Sequence, residues 1–443
     1  MLVNDAALGL LADIAAVRDV GGDPCTREVL DLLLDLELVC PVTDEGGEAG
    51  RAEPDQFTAA GSSGRAAATS AETDLRPVAC TLFLTTACNL RCLYCYASGG
   101  DRPRFLSERV ALDAIDFIVG NAVDGGVSEV TVAFHGGGEP TLAGDTLVRC
   151  VEHARKRCCA EGLELKTGLA TNGVMSDRMR DYLAATMDSV MVSVDGPADV
   201  QDRLRPQADG GPSSVAVERS LERLAAGDCS LGARVTCTSS SIEHASETVR
   251  HLVEVHGLKT IHLEPLFVCG RSTGNGLRPP TPARFVEVFR TCRDFAGRHG
   301  ADVVYSGARQ KSLGCSFCQA STPSFNITTD GDVTACYEVT GRDDPRADPF
   351  VFGSYDAERR SFAFDDARVA ALRRLTVNDA PRCSRCFSKY HCAGDCASKR
   401  LYPGADDAVI ARCQINRRLT RDQLEEALFR PAAASQLEAA MRG

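Results

Sequence analysis

Six strand-like stretches alternate with helix-like stretches, and this alternation constrains the fold more than any other feature of the chain. The predicted strands are Ala79–Thr86, Glu129–Phe134, Leu163–Thr171, Ser189–Val194, Gly232–Thr238 and Thr260–Phe267. The predicted helices are Ser107–Ala122, Asp145–Ala160, Ser176–Met187, Ser213–Ala226, Glu243–His256 and Pro282–His299. Six consecutive β/α units predict an α/β fold with a parallel sheet, either a partial (β/α)6 barrel or a doubly wound sheet. In both architectures the chemistry lies at the C-terminal ends of the strands.

The segments that flank this series differ from it in composition. Residues 1–42 predict two amphipathic helices, at about 4–17 and 26–36, followed by a short strand. Residues 43–74 are rich in Gly, Ala, Ser and acidic residues and have no apolar periodicity, so they predict a flexible linker. The β/α series fills 75–306, and 307–443 contains eight cysteines without the alternation, which indicates a separate, metal-organised domain.

Charge and cysteine content limit the possible partners and the compartment. The chain has 49 basic and 61 acidic residues, a formal charge of −12, which argues against nucleic acid as the main partner. No run approaches the roughly 18 apolar residues of a membrane span, and the N-terminus lacks a secretory pattern, so we expect a cytoplasmic protein. In that reducing compartment, clustered cysteines among the 21 present indicate metal binding rather than disulfides.

Three cysteines follow the first predicted strand in a C-x3-C-x2-C pattern: Cys88, Cys92 and Cys95. Three thiolates on one loop can hold three irons of a cubane cluster, and no fourth cysteine follows to close it. One iron would then stay open to an added ligand, as in catalytic metal sites. A zinc site or unrelated core thiols are the alternatives, but zinc would need a fourth ligand, and the nearest histidine, His135, ends another strand.

This motif after the first strand of a six-unit β/α series resembles the signature of the radical S-adenosylmethionine (SAM) superfamily. The resemblance implies a [4Fe-4S] cluster that binds SAM and a 5′-deoxyadenosyl radical that abstracts hydrogen from a substrate. It also implies SAM contacts at further positions, since Tyr94 matches the aromatic residue beside the adenine and AFHGGGEPT resembles the superfamily's GGEP element. The residues implied to contact SAM are Tyr94, Gly137, Gly138, Glu139, Asn172, Ser193, Asp195 and Arg205.

The C-terminal cysteines fall at Cys315, Cys318, Cys336, Cys383, Cys386, Cys392, Cys396 and Cys413. Their number suits two clusters with four thiolates each, or two zinc sites. The pattern resembles the SPASM domain of peptide- and protein-maturing radical SAM enzymes. By that resemblance the nearer auxiliary [4Fe-4S] cluster uses Cys315, Cys318, Cys336 and Cys396, and the outer one uses Cys383, Cys386, Cys392 and Cys413. Cys315 lies closer to Cys318 than is usual in the family, so its ligation is in question.

Three reactions are compatible with this radical initiator, because the fold does not specify the substrate. The first is maturation of a ribosomally made precursor peptide, in which a thioether or carbon–carbon cross-link forms. Residues 1–42 would bind the leader of that peptide, and flavodoxin or ferredoxin would be the reductant. The second is oxidation of Cys or Ser to formylglycine, as in sulfatase-maturating enzymes, which carry an Asp after the cysteine matching Cys336. This chain has Tyr337 and Glu338 there, which are the weak candidates for a catalytic residue. The third is dehydrogenation of a small molecule, and a non-enzymatic zinc or electron-transfer protein would leave the SAM-type strand ends unexplained.

Overall fold

A computed structural model describes residues 75–309 and 313–429. Eleven strands run through these residues: β1 Ala79–Leu82, β2 Glu129–Phe134, β3 Glu164–Thr171, β4 Ser189–Ser193, β5 Ser230–Cys237, β6 Thr260–Pro265, β7 Asp302–Val304, β8 Phe325–Ile327, β9 Asp332–Thr334, β10 Val351–Asp356 and β11 Ser361–Phe364. The α-helices are α1 Glu108–Gly125, α2 Gly144–Glu161, α3 Asp177–Thr186, α4 Ala198–Leu204, α5 Ser214–Ala225, α6 Ala245–Glu254, α7 Pro282–Arg298, α8 Ala347–Phe350, α9 Asp366–Arg373, α10 Lys389–Cys392, α11 Ala397–Arg400 and α12 Asp406–Phe429.

All eleven strands form one sheet in the order β11-β10-β9-β8-β1-β2-β3-β4-β5-β6-β7. Strands β1 to β7 are parallel and neighbours in chain order. Crossovers between parallel strands are right-handed, so strands that follow one another in space place every connecting helix on the same face. This geometry is the partial barrel, and it excludes the doubly wound alternative. The predicted α/β fold, a partial barrel of the radical SAM type, is confirmed.

The core lies between the sheet and this single layer of helices. In β2 the side chains of Val130, Val132 and Phe134 are buried, while the residues between them are more exposed. On α1, Ile115 and Ile118 are fully buried and belong to the same apolar cluster. Every second residue of a strand is buried, and the buried residues of a helix recur about every 3.6 positions, so the two apolar faces pack together. The sequence prediction rested on these two periodicities.

Element bounds differ from the predictions mainly at the ends. Strand β2 has its predicted bounds, but β1 ends at Leu82 rather than Thr86 because the chain then turns into the cysteine loop. The predicted helix Glu243–His256 begins instead with a short 3-10 turn, Ile242–His244, before α6. Helix α4 and strand β7 were not predicted, because segments of seven and three residues carry too little periodicity.

The C-terminal cysteine-rich segment continues the barrel sheet. Strand β8 pairs in parallel with β1, and β9, β10 and β11 extend it as an antiparallel meander. The buried Asp113 of α1 accepts hydrogen bonds from Arg360 Nη2 at 2.5 Å and from the Tyr355 hydroxyl at 2.5 Å. Although burial alone raises the pKa of Asp113, Arg360 and Tyr355 lower it below its ordinary value. The division at 306/307 stays a prediction about domains, while the sheet itself is continuous across it.

Several predictions fall on residues outside the described ranges. These are the two N-terminal helices and strand within 1–42 and the linker at 43–74. None of the described helices combines the length and apolar character needed to cross a membrane.

Candidate functional site

The carboxyl ends of the strands surround a cavity of about 310 Å³. The loop after β1 contributes Cys88, Cys92 and Cys95 to its wall, and the loop after β2 contributes 135–139. Asn172 follows β3 and Ser193 ends β4, and both line the same cavity. The edge at which parallel strands place their ligands thus collects the predicted SAM contacts in one site.

Backbone hydrogen bonds hold the cysteine loop in place. Leu93 N donates to Leu204 O at 2.9 Å, and Gly100 N donates to Thr86 O at 2.7 Å. The guanidinium of Arg271 donates to Gly99 O at 2.7 Å and to Cys92 O at 3.4 Å. The three thiols are therefore presented by a loop whose backbone is anchored to the barrel at several points.

The protonation of these thiols depends on what they bind. Burial raises the pKa of Cys92 to about 12 and also raises that of Cys88. Without a cation the two sulfurs are thus neutral thiols, and metal binding must release their protons. Among the described residues, the one set of three or more candidate ligand atoms that all lie within 4.8 Å of one another contains no cysteine. Tetrahedral zinc holds its sulfurs about 3.8 Å apart, so the three thiols would have to move closer together to bind a single zinc ion.

The glycine-rich loop lies against the cysteine loop so closely that side chains cannot fit between them. A Cβ on Gly138 would lie 2.0 Å from Ala87 O, and one on Gly99 would lie 2.6 Å from Gly137 O. Gly136 and Gly137 also have φ values of +81° and +65°, which glycine adopts without strain. This close approach leaves backbone groups, rather than side chains, facing the space beside the thiols.

Glu139 is buried and accepts four hydrogen bonds from the protein. Its Oε1 accepts from Thr141 N at 3.2 Å, Thr141 Oγ1 at 2.7 Å and Thr171 Oγ1 at 2.8 Å. Its Oε2 accepts from Asn172 N at 2.7 Å. Each carboxylate oxygen offers about two lone-pair positions, so Oε1 is fully used whereas Oε2 accepts one bond and keeps a position for a further donor. In this arrangement Glu139 joins the loop after β2 to the end of β3, and its contact with a SAM ammonium stays a prediction.

Tyr94, Asp195 and Arg205 form one buried network. The Tyr94 hydroxyl donates to Asp195 Oδ2, and Arg205 Nη1 donates to the same hydroxyl at 2.6 Å. Tyr94 and Arg205 line the cavity, whereas Asp195 lies behind them and also accepts from Thr236 N at 3.2 Å. The Nε of Arg205 is buried without a hydrogen-bond partner in the described structure. Arg205 therefore retains a free donor suited to a carboxylate, and Asp195 orients it from behind.

Asn172 and Ser193 differ in how far the protein already uses them. Asn172 Nδ2 donates to Asn89 Oδ1 at 2.8 Å and lies 3.7 Å from Cys88 Sγ, so this amide braces the cysteine loop. Ser193 lines the cavity, and its side-chain hydroxyl makes no hydrogen bond to another residue of the described ranges, although its backbone pairs with β5. Of the two, Ser193 has the polar group that is available to a ligand.

Tyr337 and Glu338, the weak catalytic candidates, both line the cavity from the C-terminal segment. The Glu338 carboxylate pairs with Lys399 and accepts from Ser398 Oγ at 2.9 Å. Although burial raises the pKa of Glu338, Lys399 above all lowers it to about 2. An ionised carboxylate with so low a pKa is a weak base, which disfavours Glu338 as a proton acceptor.

His135 is a site residue whose role the sequence reasoning missed. Its ring lies 4.7 Å from the Tyr337 ring, and its Nδ1 is buried without a partner within the described residues. Burial, and then the positive charge of Arg234, lower the pKa of His135 to about 4. The cavity therefore contains a neutral imidazole, and the position of His135 directly after β2 was the signal that could have found it.

Four charged residues of the cavity wall were also missed: Arg234, Glu264, Lys399 and Arg412. Arg412 pairs with Asp395 at 2.8 Å, and Glu264 accepts from Ser306 Oγ at 2.9 Å. Arg234 projects from β5, and its guanidinium has no ion pair or hydrogen bond among the described residues, although its backbone carbonyl accepts from Val194 N at 3.0 Å. Arg234 is the third residue of the predicted strand Gly232–Thr238, so the rule about C-terminal strand ends could not have found it, and Lys399 and Arg412 reach the cavity only through tertiary folding.

The auxiliary cysteines fall into two neighbourhoods. Burial and the nearby Cys396 raise the pKa of both Cys318 and Cys336, the latter to about 12 with Glu338 as a further cause. Cys383 neighbours Cys386, Cys392 and Cys413 in the same way. These groupings agree with the two predicted ligand sets, although the ligation itself stays a prediction.

Cys315 is the exception to this grouping. It packs against Val377, Ala380 and Cys383, and its sulfur accepts from Asn378 Nδ2 at 3.4 Å. Cys383 belongs to the predicted outer set, whereas the resemblance assigned Cys315 to the nearer one. All of the described cysteines are free thiols in the structure.

Comparison with known proteins agrees with this geometry. The sequence pattern of the Radical SAM superfamily matches residues 82–263, which run from β1 to β6 and include all three loop cysteines. The chain contains a radical SAM domain. The superfamily implies a [4Fe-4S] cluster and SAM, and the thiols, glycine loop and Arg205 donor described above fit both.

Curated relatives extend the likeness into the C-terminal segment. The chain is 29% identical to the mycofactocin maturase MftC of Mycobacterium tuberculosis over 346 residues, which covers 74% of this chain and 80% of the relative. It is 23% identical to the cysteine-type anaerobic sulfatase-maturating enzyme of Clostridium perfringens over 340 residues, 74% of this chain and 90% of the relative.

A solved structure of anSMEcpe with bound AdoMet and a Kp18Cys peptide matches with a TM-score of 0.60. It is 18% identical and covers 80% of this chain and 97% of that one. Streptococcus suis SuiB bound to S-adenosylmethionine matches with a TM-score of 0.52 at 15% identity, covering 73% of each chain. These likenesses show that the radical SAM fold, including the C-terminal extension, is shared.

Proposed function

We propose that this enzyme is a SPASM-type maturase that abstracts hydrogen from a residue of a ribosomally made precursor peptide and so forms an oxidative thioether or carbon–carbon cross-link. One observation carries the proposal: the SAM-site residues and the C-terminal segment line the same cavity. A substrate in this cavity would lie between the radical initiator and the cysteine-rich segment. The relatives named as maturases and the structures with bound peptides support the same class of reaction.

Different residues of the cavity wall would hold the cluster, bind SAM and position the SAM-binding arginine. When bound, the reduced cluster and SAM would supply a 5′-deoxyadenosyl radical to take one hydrogen atom from the substrate, and the auxiliary clusters would take up the second electron, which the oxidative cross-link releases together with a proton. Cys88, Cys92 and Cys95 would hold that cluster, and Arg205 with its free Nε would bind the SAM carboxylate. Tyr94 and Asp195 fix the position of this guanidinium through the network described above. The C-terminal cysteines would hold the two auxiliary [4Fe-4S] clusters that the SPASM resemblance implies.

Substrate contacts are expected on the side of the cavity away from the thiol loop. Arg234 offers a guanidinium with no acidic partner among the described residues, which suits a carboxylate of a peptide. Tyr337 is 43% exposed within the described structure, and its ring contacts that of His135 with the two planes tilted by 30°. These residues give the wall both an anion-binding group and an aromatic surface.

Residues 1–42 are proposed to bind the leader of the precursor peptide. The domain division 1–42, 43–74, 75–306 and 307–443 belongs to this proposal, as do a flavodoxin or ferredoxin as reductant and a cytoplasmic location. Deletion of 1–42 should slow processing of a leader-bearing peptide while SAM cleavage continues. Equal processing by the full chain and the deletion variant would reject the leader-binding role.

Formylglycine formation is the second candidate, favoured by the likeness to sulfatase-maturating enzymes. The Asp expected after the cysteine matching Cys336 is replaced by Tyr337, and Glu338 is held ionised by Lys399. The small-molecule dehydrogenase remains a third possibility that the same assay can detect.

The deciding experiment incubates the anaerobically reconstituted enzyme with SAM, a reductant and peptides encoded beside its gene. A cross-link is expected as the loss of two hydrogens, with both modified residues joined in fragmentation spectra. Formylglycine is an aldehyde, so a hydrazide probe would label it and would leave a cross-linked product unlabelled. A labelled product, or turnover of a sugar alcohol with no peptide modified, would overturn the proposal. Cys92→Ala is the matched negative control, because it should lose every SAM-dependent reaction.

A further inference from the structure

Two histidines and a glutamate converge on the outside of the barrel, away from the cavity. Glu218 lies on α5, His251 lies in the last turn of α6, and His256 follows that helix by two residues. The Glu218 Oε1 lies 3.0 Å from His251 Nε2 and 2.9 Å from His256 Nε2. One carboxylate is thus shared by two imidazoles from the neighbouring helix.

The cluster is buried on one side and open on the other. The His256 side chain is 2% exposed, whereas those of Glu218 and His251 are 39% and 44% exposed. The two rings meet edge to face, with centroids 5.0 Å apart and an interplanar angle of 84°. Packing therefore fixes one imidazole, while an ion and a water molecule can approach from the solvent side.

The ligand atoms have a spacing that a single ion can bridge. The Nε2 atoms of both histidines and a Glu218 oxygen all lie within 4.8 Å of one another, which no other trio of such groups in the described ranges achieves. Tetrahedral zinc with bonds of about 2.0–2.1 Å needs ligand atoms about 3.4 Å apart. Small side-chain rotations are enough to convert the present hydrogen-bonded trio into that geometry.

We propose that Glu218, His251 and His256 bind a divalent transition-metal ion, with zinc as the best match. Two imidazoles and one carboxylate are nitrogen and oxygen ligands that zinc accepts, and the exposed side leaves a fourth position for water. Mg²⁺ and Ca²⁺ prefer oxygen ligands alone, so they fit this set poorly. The ion links α5 to α6 and is distinct from the iron sites, which use thiolates.

The link has a structural consequence for the barrel. Ser213, which precedes α5, donates through Oγ to Arg205 O at 2.7 Å. An ion that fixes α5 against α6 therefore steadies the helix next to the Arg205 segment. Binding to the folded state alone also raises its stability as the free zinc concentration increases.

The test uses the anaerobic holoenzyme with its clusters loaded and Zn²⁺ as the only added ion. His251→Ala and Glu218→Gln each remove one ligand at an exposed position, and His153→Ala is the matched control. His153 pairs with Asp116 at 2.9 Å but has no second histidine beside it. Zinc is counted by mass spectrometry after dialysis against buffered free zinc, and iron is counted in the same sample.

Wild type and His153→Ala should bind one zinc more per chain than the two ligand variants. Zinc affinity should fall at least about tenfold in each ligand variant, since the loss of a supporting residue alone costs about 10–100-fold. Zinc X-ray absorption should show nitrogen and oxygen neighbours at about 2.0–2.1 Å and no sulfur at about 2.3 Å. Equal zinc in all four proteins, or zinc surrounded by sulfur, would show that the trio is only a hydrogen-bonded contact and would overturn the proposal.

Discussion

Replacing Glu139 by Gln tests whether this carboxylate holds the loops of the site together. The amide oxygen of Gln can keep the three bonds made to Oε1, from Thr141 and Thr171. Its NH₂ group then faces the Asn172 N–H, which now donates to Oε2 at 2.7 Å. Two donors meet, so that hydrogen bond is lost and a buried N–H stays unpaired.

The structure sets the size of the effect. Losing a hydrogen bond to a charged acceptor costs about 1.5–3 kcal/mol, and the three remaining bonds weaken because the acceptor is neutral. The gain from no longer burying a charge offsets part of this, so we expect a net loss of about 2–4 kcal/mol in the free energy of unfolding. An unfolding entropy of about 2.1 cal/mol/K for each of roughly 350 residues converts that loss into about 3–6 °C in melting temperature.

Anaerobic thermal denaturation of the loaded enzyme measures this shift directly. Glu164→Gln is the matched control, because Glu164 is exposed at the start of β3 and its partner Lys166 is a surface residue. The control should melt within about 1 °C of wild type. SAM affinity of Glu139→Gln should stay within about tenfold, since its bonds go to the protein. A variant that melts like the control but has lost SAM binding would refute the reasoning and assign Glu139 to the ligand.

Four further outcomes follow from the site. Cys92→Ala should abolish reductant-dependent formation of 5′-deoxyadenosine and lower the iron content by about four atoms per chain, while the C-terminal clusters stay loaded. Cys396→Ser should lower iron by up to about four atoms from about twelve, and an unchanged count would show that Cys396 holds no cluster. Arg234→Gln should raise the KM for the precursor peptide about ten- to a hundredfold, more than it lowers kcat, as expected for a lost hydrogen bond between charged groups. The pKa of His135 is about 4 in the folded state and about 6.5 when unfolded, so its contribution to stability is complete above pH 6.5 and is lost as the pH falls towards 4. Between pH 6.5 and 5.5 that loss is about 1 kcal/mol, so the melting temperature of His135→Phe should fall less over this interval than that of wild type or His153→Ala.

The sequence alone predicted the parallel β/α series and the candidate SAM site, because both depend on local patterns, whereas the strand order decided for the partial barrel. Alternating strand and helix periodicities mark β1 to β6, and most predicted SAM contacts end a strand or lie in the loop that follows it, whereas Arg205 follows helix α4. Because parallel strands end at the same edge of the sheet, the sequence predicts that residues far apart in the chain, such as Cys88 and Ser193, line one site.

Tertiary structure decided which of these residues are free to bind a ligand. Glu139 and Asn172 line the cavity and also make hydrogen bonds within the protein, four of them to Glu139, so their contact with SAM stays a prediction. Lys399 and Arg412 reach the cavity from a segment with no strand pattern. The proposed zinc ligands Glu218, His251 and His256 come together only because α5 packs beside α6 and the residues that follow it. Hydrogen-bond saturation and contacts between distant segments depend on three-dimensional packing, and one-dimensional periodicity carries no information about either.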